Sequence, residues 1–225
     1  VLHQQLINHT QVVMSKANTP TTGATVGRVT ATCPANTRLL GGGARTTPGN
    51  TGSYKAIASF PTFNNSAHNY GAKAAADGET NPDSWSAVGW DGSSNSANYT
   101  YAYAICSGSG INVSGATVKV RHSEVSGPTS GSTGQTATVG CGGGDGKLVS
   151  GGAAVSGGSV TTTDFAGPGS GGDHLNGSFP STSGGAAVSD GTTTAAYWTA
   201  AAHTGGQSSP GTHTDVWALC ADDGV

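Results

Sequence analysis

Residues 99–106 read YTYAYAIC, a strict alternation that puts Tyr99, Tyr101, Tyr103 and Ile105 on one face of a strand and Thr100, Ala102, Ala104 and Cys106 on the other. Aromatic and aliphatic side chains on one side and small ones on the other predict a strand covered on both faces. Residues 215–220, DVWALC, repeat the pattern, with Trp217 and Leu219 in the places of Tyr103 and Ile105. WSAVGW (85–90) and WTAAAH (198–203) form a second matched pair, in which Trp85 and Trp198 are expected as core anchors. QVVMSKA (11–17) and TVKVRHSEV (117–125) read as matching first strands.

These matches belong to a longer internal repeat. TATCPANTRLLGGGA (30–44) is answered by TATVGCGGGDGKLVSGGA (136–153), and each is followed by Ser-Phe-Pro, at 59–61 and 178–180. The order is the same in both halves. The chain therefore divides into an N-terminal arm (1–10), a first β module (11–106), a linker (107–115) and a second β module (116–225). The prolines of the two SFP segments predict a strand end or a sheet edge. The glycines after Leu40 and Val149 predict turns or bulges at positive φ.

Composition narrows the fold. Of 225 residues 34% are hydrophobic and 9% charged, and 38 are Gly, while strong helix formers are scarce. That points to an all-β protein of two tandem, internally duplicated, disulfide-closed β-sandwich-like modules. An even number of cysteines in so polar a chain reads as two disulfides and an oxidising compartment; the alternative is four buried thiols in the cytosol. The simplest pairing joins Cys33 to Cys106 and Cys141 to Cys220, the start of each module to its last strand. No Lys or Arg follows Lys147 and the net charge is −3, which excludes clustered phosphate contacts and so nucleic acid as a partner. No apolar run approaches the roughly 20 residues of a membrane span. The first residues do not read as a signal peptide, so the numbering is expected to start near a mature N-terminus.

The succession CPANTRLLGGGA, SFP, WSAV and YAIC resembles modules of exported bacterial domains, seen in actinobacterial secreted proteins and in the variable C-terminal segments of conjugative thin-pilus tip adhesins. The second half follows the pattern more loosely, with Gly-Gly-Gly-Asp after Cys141 in place of Pro-Ala-Asn. The resemblance implies a secreted protein that recognises cell-surface glycan, with no catalytic residues.

A search for chemistry points the same way. The chain has no Gly-x-Ser-x-Gly elbow and no zinc-spaced His or Cys pair. GPGSGG (167–172) lacks the strand and helix that a dinucleotide site needs. No enzyme, cofactor or metal is expected. His213 and Asp215, near His203, share a strand face and could serve a metal or a polar pair. Asp145, Asp164, Asp173 and His174 stand in Gly-rich stretches suited either to calcium or to solvated turns. Sequons at Asn8, Asn64, Asn98, Asn112 and Asn176 are expected by chance in such a composition. The aromatics that the repeat does not explain are Trp90, which aligns with His203, and Tyr70, in the insertion 63–83. With Asp91, His68 and Asn69 they make the expected glycan-binding set. The alternative function is a self-assembling subunit of an extracellular filament or coat, with the N-terminal arm adding as a strand to a neighbour.

Overall fold

The computed structural model describes residues 7–19, 25–47, 54–91, 98–129, 134–169, 172–205 and 211–222. Most of the N-terminal arm, 1–6, lies outside them. Among the described residues, twelve strands and one short 3-10 turn (Ser66–Gly71) make up the regular structure. The strands are β1 (Thr10–Thr19), β2 (Thr25–Thr32), β3 (Leu39–Thr47), β4 (Tyr54–Thr62), β5 (Ser84–Asp91), β6 (Asn98–Ser107), β7 (Thr117–Ser126), β8 (Gly134–Gly140), β9 (Lys147–Ser156), β10 (His174–Ser181), β11 (Tyr197–His203) and β12 (His213–Asp222). The all-β class follows from the scarcity of helix formers and the alternating strands.

The first six strands form two sheets, β1–β6–β3 and β2–β5–β4, and the last six form β7–β12–β9 and β8–β11–β10 in the same order. A disulfide joins the sheets of each pair: Cys33, just after β2, to Cys106 in β6, and Cys141, just after β8, to Cys220 in β12. The likeness extends to irregularities. The ladder slips by one residue at Leu40 in β3 and at Val149 in β9, and again at Ile57 in β4 and Asn176 in β10.

The Ser-Phe-Pro segments share one function. The indole N–H of Trp85 donates to the Ser59 hydroxyl at 2.8 Å, and that of Trp198 to the Ser178 hydroxyl at 2.9 Å. Behind each ring stands a glycine, Gly42 or Gly151, where a Cβ would fall 2.2 Å from the indole Cγ. The bulges expected after Leu40 and Val149 are present, but none of Gly41, Gly42, Gly43, Gly151 and Gly152 has positive φ. At 42 and 151 glycine leaves room for the ring above it, and the backbone angle does not call for it.

Trp85 is fully buried, whereas Trp198 is only half-buried. The interior of the second half is correspondingly thin, built on Ala137, Ala153, Ala200 and Val216, with Val125, Val139, Leu175 and Trp198 at its margin. The larger core holds the interior of the first half together with Val118, Val120, Trp217 and Leu219 from the outer side of β7–β12–β9. Much of the apolar burial of the second half therefore lies in its contact with the first.

That contact runs through a seam between β4 and β9, where Ala58 pairs with Ala154 and Ser59 with Ala153. The seam joins β2–β5–β4 and β9–β12–β7 into one six-stranded ladder. The ladder is sharply bent, because residues 81–83 touch both ends of it: Asn81 N–H donates to Val118 O on β7, and Asp83 O accepts from Cys33 N just past β2. Phe60 and Trp217 face each other across the bend at 5.6 Å. The linker is held by the Arg38 guanidinium, which donates to Val113 O and Ala116 O.

Candidate functional site

The five residues expected to bind glycan do not form one exposed platform. Trp90 is buried, with the Lys55 ammonium 5.4 Å from its ring centre, and its indole N–H finds no acceptor among the described residues. His68 is also buried: its Nε2 lies 3.0 Å from Glu79 Oε2, and its ring packs on Phe63 at 4.6 Å. Asn69 donates to Asp164 Oδ2. Only Tyr70 presents its ring to solvent, 60% exposed, on a backbone that turns left-handed at both Asn69 (φ 44°) and Tyr70 (φ 50°). The Asp91 side chain lies outside the described residues. Residues 72–82 of the same insertion are spent on covering β7–β12–β9.

The carboxylates considered for calcium are likewise dispersed. Asp145 is buried against Lys119 at 2.8 Å and Arg121 at 3.6 Å. The Lys119 hydrogen bond holds its carboxyl below the usual range, assisted by the Gly142 N–H and the nearby cations, against burial. Asp164 accepts from Asn69, and the His174 imidazole meets Gly172 O.

His213 and Asp215 do project from one side of β12, into a polar cluster with His122 and Glu124 of β7. His122 Nε2 lies 2.8 Å from Asp215 Oδ1, and His213 Nδ1 lies 2.9 Å from Glu124 Oε1. Asp215 is fully buried, and burial pushes its carboxyl above the ordinary range; the hydrogen bond and charge of His122 oppose that, and Glu124 adds to it. Ligand-type atoms of His122, Glu124 and Asp215 fall within 4.8 Å of one another, so among the described residues these three could hold a metal ion. The sequence offered His213 and Asp215 as a pair; His122 and Glu124, on a strand 90 residues away, gave no local signal.

The largest difference between the halves concerns two outer sheet faces. On β7–β12–β9, Val118, Val120, Trp217 and Leu219 are fully buried beneath residues 72–81. The Trp217 indole donates to Ala75 O at 2.9 Å. Gly78 N–H donates to Val120 O, Val120 N–H to Glu79 O and Asn81 N–H to Val118 O, so the segment adds to the edge of β7. Asp77 Oδ1 accepts from the His122 N–H and pairs with Arg121.

On β1–β6–β3 the matching face is left open by the described residues. β6 is not covered on both sides as its alternation predicts: Ile105 is 40% exposed, and Tyr99, Tyr101 and Tyr103 are half-buried. Beside them on β1, Val12 is 64% and Met14 51% exposed. The tyrosines form a ladder, Tyr101 stacked near parallel to Tyr103, with the Lys16 ammonium 4.2 Å from the Tyr99 ring centre and the Arg45 guanidinium 4.8 Å from that of Tyr101. On the β3 side, opposite Tyr103, Gly43 leaves the surface flat.

Fold and faces together define a class: an all-β protein of two disulfide-bridged sandwiches, fused along a bent seam, with one outer sheet face sheathed and its equivalent uncovered by the described residues. No protein-family model matches the chain, nor does any curated protein or solved structure. Among the described residues no helix is long and apolar enough to cross a membrane.

Proposed function

We propose that this chain is an exported, non-enzymatic structural subunit that assembles with copies of itself outside the cell. The observation that carries the reading is the open face of β1–β6–β3. A contiguous patch of Val12, Met14, Ile105 and three tyrosines is unusual on a protein that stays alone, and such patches mark interaction sites. Two disulfides and a low charge content support export and persistence in an oxidising medium. Sedimentation velocity over a dilution series, with electron microscopy of the concentrated protein, tests it. Concentration-dependent assembly is expected, and a strictly monomeric protein would end the proposal.

Cell-surface glycan recognition is the second reading, moved from Trp90 to the tyrosine ladder. Stacked rings flanked by Lys16 and Arg45 suit a sugar ring and its hydroxyls or acidic groups. Glycan binding that disappears in Tyr101→Ala, from a protein that remains monomeric, would favour it.

A further inference from the structure

Residues 71–91 and 184–204 match at a constant offset, so that Asp190-Gly191 answers Asp77-Gly78 and Trp198 answers Trp85. The two segments are folded alike. Gly78 and Gly191 both have positive φ, at 83° and 78°. Glu79 N–H donates to Ala76 O and Thr192 N–H to Ser189 O, each at 3.2 Å. Ala74 bridges Thr62 as Ala187 bridges Ser181, and Ala75 N–H donates to Pro61 O as Val188 N–H does to Pro180 O. Yet the first segment is docked on β7, whereas the second is exposed from Ser189 through Thr194.

A receiving surface of the same form exists on the open face. β1 sits on β6 in the register that β7 has on β12, Gln11 opposite Cys106 as Lys119 is opposite Cys220. Val12 thus takes the place of Val120, Met14 of His122, Tyr103 of Trp217 and Ile105 of Leu219. Two further positions complete the pattern. Leu40 is buried where the Ser150 hydroxyl reaches its carbonyl, while its match Val149 is 38% exposed. Phe60 is buried against Trp217, while its match Phe179 is half-buried.

We infer that a second copy of this chain covers the β1–β6–β3 face, repeating between chains the junction that each chain contains within itself. This rests on the self-assembly proposed above and names its interface. Residues 190–194 of one copy add to the free edge of β1 in the next: Gly191 N–H donates to Val12 O, Val12 N–H to Thr192 O and Thr194 N–H to Thr10 O. Val188 and Phe179 then cover Tyr103 and Ile105, and Asp190 accepts from the Met14 N–H as Asp77 does from His122. A preformed segment meeting a matching edge loses little conformational freedom on docking. The two surfaces differ, so the contact is heterologous and propagates into a ring or a fibre.

The test is a cross-link between two single-cysteine variants with both native bridges intact. In the internal junction Thr80 lies directly opposite Lys119, which makes Thr193 of one copy opposite Gln11 of the next, within disulfide range for an antiparallel pair. Gln11→Cys mixed with Thr193→Cys should yield a one-to-one covalent dimer under mild oxidation, and neither variant alone should. Met14→Asp, at an exposed position that leaves the fold intact, should weaken assembly at least about tenfold, the effect of a like-charged group facing Asp190. Oligomers that form without the mixed cross-link, or that cross-link between identical variants, would overturn this interface while sparing self-assembly. A wild-type protein that stays monomeric at every concentration would overturn both.

Discussion

Gly42→Ala and Gly151→Ala are the same substitution at matched positions, and they should differ in cost. A Cβ at 42 would stand 2.2 and 2.3 Å from Trp85 ring carbons and 2.4 Å from the Tyr103 carbonyl oxygen. The Trp85 ring is fully buried and pinned by Ser59, and the carbonyl belongs to the middle of β6, so neither can withdraw cheaply. Overpacking of this kind costs about 3 kcal/mol. The lower chain entropy of the unfolded alanine variant returns about 0.4–1 kcal/mol, which leaves a net loss of about 2 kcal/mol. At 151 the nearest contacts are all atoms of the Trp198 ring, which is half-buried and has solvent to move into. Overpacking of about 1 kcal/mol nearly cancels against the same entropic gain. Thermal unfolding under non-reducing conditions should lower the midpoint by about 4–8 °C for Gly42→Ala and by about 2 °C or less for Gly151→Ala. Equal midpoints for the two variants, or a Gly42→Ala protein as stable as the parent, would refute the assignment of these glycines to ring clearance.

Four further expectations rest on contacts described above. Ser59→Ala leaves a buried indole N–H without its acceptor and should cost about 1–3 kcal/mol in denaturant unfolding, whereas Ser178→Ala should cost about 0.5 kcal/mol or less because the Trp198 indole reaches water. Asp145→Asn should lower stability at neutral pH by about 1–2 kcal/mol through its weakened bonds to Lys119 and Gly142. Because the Asp145 carboxyl titrates below its unfolded value, that stabilisation is present above the unfolded pKa and is lost as pH falls through the depressed folded one; the two proteins should converge in acid. Asp215 has the opposite sign: its contribution is complete below the unfolded pKa and declines as pH rises through the raised folded value, so Asp215→Asn should flatten that decline in a stability profile against pH. Reducing either disulfide, each closing more than 70 residues, should remove about 4 kcal/mol on the chain-entropy treatment, and a Cys33→Ala/Cys106→Ala protein should show it as a lower denaturant midpoint.

Much of the architecture was legible in segments of the sequence that resemble one another. The alternation in 99–106 and 215–220 located the central strands, and the repeat placed the cysteines so that the simplest pairing is the one found. What alternation could not convey is what lies on a face. Tyr103 and Trp217 occupy equivalent positions and read alike, but Trp217 is fully buried under a segment more than 130 residues earlier, whereas Tyr103 is half-buried and the described residues lay no such segment over it. Burial is equally hidden from alignment: Trp90 looked spare because its partner position is His203, and the structure places it, buried, beneath Lys55. The insertion 63–83 looked like a binding loop, whereas its second part pairs with β7 and so belongs to the packing of the second half. Glycine is equally mute about its reason. Gly42 and Gly78 are the same letter, one cleared for a ring and the other set at φ 83°.

The placement of the two disulfides also sets how the chain responds to force. A pull applied at its two ends passes from Cys33 directly to Cys106 and from Cys141 directly to Cys220. The polypeptide enclosed by each bridge is thereby shielded, whatever happens to the sheets around it. Between the bridges only the 34 residues from Ser107 to Gly140 can be drawn out, which is about 120 Å of fully extended chain. Under a pull at the two ends the chain can lengthen only in the segments outside the bridges, those up to Thr32, from Ser107 to Gly140 and from Ala221 onward, while residues 34–105 and 142–219 stay looped behind their disulfides.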